Sequence, residues 1–112
     1  MSELYDYAEA LERLGGDVAL FASVAGLFVA ESEGYCGALE AALASADAAA
    51  VRREAHTVKS MLATFSCETG RELAQRLEYL AASGNLEGAN SLTVDVVDAV
   101  RRLAAALSKD VA

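Results

Sequence analysis

The chain carries one histidine, His56, within Ala55-His56-Thr57-Val58-Lys59-Ser60. An imidazole is mostly neutral near pH 7, so it offers a lone pair for nucleophilic attack or proton transfer. Lys59, close to one helical turn later, is placed to stabilise an anion carried on the ring. Whether that chemistry is accessible depends on which way the ring points. On a helical wheel advancing about 100° per residue, Val51, Ala55, Leu62 and Phe65 fall within about 60° of Val58, whereas His56 falls about 160° away. The outer arc also holds Arg52, Arg53, Lys59, Ser60 and Ala63. The imidazole is therefore expected on the solvent face, among three bases. An exposed histidine on an amphipathic helix commonly does nothing, but small Ser60 and Ala63 leave an open surface beside this one. Such a setting suits chemistry done with another macromolecule.

The parts of other chemistries are missing from the sequence. There is no GxxxxGK[ST] phosphate loop, no glycine-rich nucleotide loop after a strand and no GxSxG elbow, so neither a nucleotide-driven kinase nor a hydrolase has visible machinery. Cys36 and Cys67 have no CxxC spacing, and with one histidine a four-ligand zinc site would have to borrow carboxylates. Reduced, structural cysteines and no resident metal or other cofactor are expected.

The elements that must position His56 are helical. Of 112 residues 25 are alanine and 15 leucine, none is proline and only 6% are aromatic, which favours helices and nearly excludes an all-β fold. Punctuation falls at Gly15-Gly16-Asp17, Ser45-Ala46-Asp47, Ser66-Cys67-Glu68 and from Ser83-Gly84-Asn85 to Ser91. It predicts five helices, near residues 3 to 14, 17 to 44, 47 to 65, 68 to 83 and 90 to 108. Apolar spacing gives each long helix one buried face: Val24, Leu27, Phe28, Tyr35, Leu39 and Leu43; Val51 to Phe65; Leu73, Leu77 and Leu80; Val96, Val100, Leu103 and Leu107. Short connections between them predict an all-α fold, an antiparallel up-down four-helix bundle with the short first helix as a cover. The chain is expected to form one domain over residues 1–112.

The net charge of −8 argues against nucleic acid or an anionic membrane as partner. Residues 1 to 50 carry nine acids and the single base Arg13, whereas residues 51 to 112 carry eight of each, so the surface around His56 is more basic than the total implies. The longest uncharged run, Val18 to Ala30, falls short of the roughly 20 residues of a spanning helix, and the segment before it is acidic where a secretory signal is basic. A cytoplasmic location and a monomer are expected.

With its spacing, the AH-x-x-K segment, followed by Ala63, Phe65 and Leu73-Ala74-Gln75-Arg76-Leu77-Glu78, resembles the histidine-containing phosphotransfer (HPt) domain family. The resemblance extends to Leu11 through Asp17, Phe28 and the Ser-Ala-Asp and Ser-Gly-Asn turns, and so spans nearly the whole chain. It implies that His56 accepts a phosphoryl group from an aspartate of a response-regulator receiver domain, or passes one to it. It further implies that Lys59 steadies the phosphoryl oxygens and that Glu78 or Gln75 holds the second ring nitrogen. The Mg²⁺ that the transfer requires is expected in the receiver's acidic pocket, with a sensor histidine kinase as a further possible partner. Ser60 departs from the family pattern, which has glycine after the motif lysine, and Ser66 stands where glycine is common near the end of that helix.

Two readings follow. In the first, the chain is a phosphocarrier of a two-component phosphorelay, without kinase activity of its own; a variant is the substrate domain of a chemotaxis-type kinase. In the second, prompted by Ser60, the bundle is an adaptor that binds receivers without transferring phosphate. Tyr7, Leu11 and Phe21 are candidates for an apolar docking patch near His56, with packing between the cover helix and the bundle as the competing role.

Overall fold

A computed structural model describes residues 4–111. Among them are five helices and no strand: α1 (Tyr7–Arg13), α2 (Val18–Ala44), α3 (Ala48–Thr64), α4 (Glu68–Ala82) and α5 (Ala89–Asp110). The expected start of the first helix at residue 3 lies outside the described residues. α1 begins at Tyr7 because Asp6 caps it, its carboxylate accepting from Glu9 N at 3.0 Å. Asp17 and Asp47 cap α2 and α3 in the same way, accepting from Leu20 N and Ala50 N. Each aspartate satisfies a donor that the first helical turn leaves unpaired.

Left-handed residues follow each of the first four helices. Gly15 and Gly16 take φ near 75° after α1, as a residue without Cβ does readily. Ala46 after α2 and Ser66 after α3 adopt φ 53° despite their side chains, and each closes a paired C-cap. Ser66 N donates to Ala63 O and Cys67 N to Leu62 O, at 3.0 and 2.9 Å.

Each of the four long helices packs on two others: α2 lies against α3 and α5, and α4 against α3 and α5. Val51, Val58, Leu62, Leu77, Val96, Val100, Leu103 and Leu107 fill the space between them and are almost fully buried. At Gly70 a Cβ would stand 3.2 Å from Ala99 Cβ and from Cys67 Sγ, so glycine permits the close approach of α4 to α5. Cys36 and Cys67 are buried free thiols, and burial pushes both upward in pKa.

α1 covers one end of the core through rings. Tyr7 meets Phe21 edge-on at 5.0 Å, Phe21 meets Phe65 at 5.9 Å, and Phe28 meets Phe65 at 5.5 Å. The docking patch suggested by Tyr7, Leu11 and Phe21 is therefore core packing: Phe21 is buried and the other two are partly buried. Three large apolar side chains stay exposed on α2, Val18, Leu20 and Leu27. By length and composition this 27-residue helix passes for a membrane span. Of its apolar residues, Phe21, Ala25, Phe28, Cys36 and Leu39 are core of the bundle.

Candidate functional site

His56 sits mid-way along α3 with its side chain 60% exposed, opposite the buried row Val51, Ala55, Val58 and Leu62. The turn joining α3 to α4 is short, so residues about equally far from it in the two helices lie side by side. That brings Glu78 beside His56. The ring's Nδ1 is 3.1 Å from Glu78 Oε2, and the Lys59 ammonium is 2.7 Å from Glu78 Oε1. One carboxylate thus bridges the histidine and the lysine.

Electrostatics fixes the ring's tautomer. Burial pushes the Glu78 carboxyl up, but the Lys59 ammonium and the His56 ring outweigh it and hold its pKa below the usual carboxylate value. An ionised carboxylate only accepts hydrogen bonds, so Nδ1 carries the hydrogen and donates it. In the neutral ring this tautomer leaves the lone pair on Nε2.

The remaining candidates are placed differently. Gln75 accepts from Arg71 Nη1 at 2.8 Å, and Arg71 in turn pairs with Glu68, so the ring nitrogen is held by Glu78 and not by Gln75. Gln75 nevertheless lines a groove with Arg52, Lys59, Glu78 and Tyr79. Ser60 is exposed, and its hydroxyl donates to the His56 carbonyl at 3.1 Å, which folds the side chain back on its own helix and away from the ring. Lys59 is about three-quarters buried, its charge directed at Glu78 and not outward.

A second groove, of about 670 Å³, runs between α3 and α4 beside the ring. Arg52, Arg53, His56, Thr57 and Glu78 line it, together with Ala48, Ala49, Ala81, Ala82 and Gly84. It exists because small residues face one another there. Its one sequence signal is the alanines flanking the turns, which the apolar periodicity does not use. Tyr79, 72% exposed beside Glu78, is likewise a feature that apolar spacing did not single out.

Ser66 joins the far end of α3 to α1. Its hydroxyl donates to Glu9 Oε1 at 2.9 Å and accepts from Arg13 Nε at 3.2 Å, while its carbonyl accepts from Asp6 N. Glu9 and Arg13 also pair directly at 2.7 Å. Among the described residues no group of three or more His, Cys, Asp or Glu converges on a metal position.

The Hpt domain family model matches residues 23–110. No curated protein matches the chain. The crystal structure of histidine-containing phosphotransfer protein B from Pseudomonas aeruginosa PAO1 is similar in fold, with a TM-score of 0.89 at 21% identity, covering 99% of this chain and 96% of that one.

Proposed function

The chain belongs to the Hpt domain family and is a histidine phosphotransfer protein of phosphorelay signalling; on that premise we propose that His56 is the residue that carries the phosphoryl group. The observation that carries this reading is the Nδ1 contact with Glu78, which leaves a nucleophilic Nε2 on an exposed ring.

In the transfer, Nε2 attacks the phosphorus of a receiver acyl phosphate. The P–N bond forms as the P–O bond to the receiver aspartate breaks, and the aspartate leaves as a carboxylate. The Nδ1 hydrogen stays in its bond to Glu78, whose negative charge stabilises the positive charge that the ring acquires. Lys59 keeps Glu78 ionised. The transition state is loose and the Mg²⁺ would sit in the receiver's pocket, so the chemistry asks no metal of this chain. Hpt proteins are phosphocarriers and not kinases, and we read this chain as having no kinase activity of its own.

The receiver would dock across α2 and α3. Leu20 and Leu27 lie on the side of α2 turned away from Glu33 and Glu40, which face α5, and hence on the α3 side. We assign the apolar docking surface to them in place of Tyr7, Leu11 and Phe21. The order of helix contacts supports an antiparallel up-down bundle with α1 as cover; we read it further as one domain that works as a monomer in the cytoplasm.

The test is to mix the protein with phosphorylated receivers and Mg²⁺. Because His56 is the sole histidine, histidyl phosphate has one possible address. Label that is acid-labile and alkali-stable is the expected result. Receiver binding across a panel with no label would establish the adaptor reading instead.

A further inference from the structure

The cation that the family motif offers to the phosphoryl group is already committed. The Lys59 ammonium lies 2.7 Å from Glu78 Oε1, and its side chain is 25% exposed. A phosphoryl group arriving at Nε2 brings nearly two negative charges to a ring whose other nitrogen already faces a carboxylate. The site therefore calls for a cation that is not spent on Glu78.

Arg52 meets that requirement. It is exposed, it precedes His56 by one helical turn, and among the described residues no carboxylate pairs with it. Residues so spaced on a helix have Cβ atoms about 5–6 Å apart, within reach of an arginine side chain. Arg52 also lines both grooves that flank Glu78, the one shared with His56 and the one shared with Lys59. Its neighbour Arg53 approaches Glu54 at 3.7 Å and lines only the first. A guanidinium presents two parallel N–H donors matched to phosphate oxygens, where an ammonium is a point charge.

We infer that Arg52 is the cation that receives the phosphoryl oxygens at His56 Nε2, and that Lys59 is a positioning residue that holds Glu78 against the ring. The inference rests on His56 being the phospho-accepting residue. In the step, Arg52 gains N–H···O contacts to the moving group and exchanges no proton; the bonds made and broken remain P–N and P–O.

Two measurements test it. The first uses inorganic phosphate, which needs no partner: side-chain NMR of the intact protein should show the Arg52 guanidinium and the His56 ring shifting together as phosphate is added. Arg52→Gln should weaken that response about tenfold and Arg52→Lys should retain part of it. The second is transfer from a phosphorylated receiver, which Arg52→Gln should slow about tenfold at unchanged melting temperature, with Arg52→Lys recovering most of the rate. Wild-type phosphate affinity and transfer rate in Arg52→Gln would overturn the assignment and leave phosphotransfer standing. A wild-type protein that takes no label, yet shows the Arg52-dependent phosphate response, would overturn phosphotransfer and leave Arg52 as the anion-binding cation.

Discussion

Nδ1 of His56 lies 3.1 Å from Oε2 of Glu78, a residue 22 positions later in the chain and on the neighbouring helix. The contact turns an exposed imidazole into a ring of fixed tautomer and orientation, with its free nitrogen outward. Most of what the protein is expected to do follows from this pair.

Replacing His56 with glutamine should abolish acid-labile, alkali-stable labelling while leaving the helices folded. The ring is largely exposed, and substitutions at exposed sites usually change stability by no more than about 0.5 kcal/mol. Retention of label by the variant, measured after mixing with a phosphorylated receiver, would place the phosphate elsewhere.

Removing Lys59 should act through Glu78. Lys59→Ala leaves a buried carboxylate oxygen without its counter-charge, at an expected cost of about 1 kcal/mol in denaturant unfolding. The pH dependence has a definite sign. Glu78 is depressed in the folded state, so its contribution is complete above the unfolded carboxylate pKa of about 4.3 and is lost as pH falls through the lower folded value. The stability difference between wild type and Glu78→Gln should therefore shrink on acidification below about pH 4.3. A difference that stays constant from pH 6 to pH 3 would contradict the pairing.

At Ser60 the hydroxyl is turned back onto the His56 carbonyl, so the position contributes openness and no contact to the ring. Ser60→Gly should leave fold and transfer largely intact. Ser60→Gln should slow transfer with less than about 0.5 kcal/mol of destabilisation. Equal rates for the three side chains would remove the position from the site.

Ser66 sets a backbone cost against a side-chain gain. Its φ of 53° is unfavourable for any residue with a Cβ, by about 1–2 kcal/mol, while its hydroxyl bonds to Glu9 and Arg13 hold α1. Ser66→Ala keeps the cost and loses the bonds, whereas Ser66→Gly loses both. The glycine variant should exceed the alanine variant in stability by about 1 kcal/mol, read from unfolding curves.

Leu27, 62% exposed on α2, should matter to binding and not to folding. Leu27→Glu should leave the melting temperature nearly unchanged and weaken receiver affinity about tenfold, as expected for an apolar anchor lost from an interface. Unchanged affinity by calorimetry would move the docking surface off this side of α2.

The local features were legible in the order of the residues. Apolar periodicity, the aspartates at 17 and 47 and the glycines after Leu14 were enough to place the helices within a few residues and to put His56 on the solvent face. Each of these is set within a turn or two of chain. The tertiary structure decided the pairings between helices. Gln75 and Glu78 share one face of α4 and differ by about 4.5 Å along its axis, so which of them meets the ring depends on how α3 and α4 slide and rotate as they pack. The same packing took Lys59 from the open surface to Glu78, left Arg52 without a carboxylate partner among the described residues, and buried Phe21 between Tyr7 and Phe65. No local pattern encodes such contacts, because they are fixed by interlocking side chains contributed from distant parts of the chain.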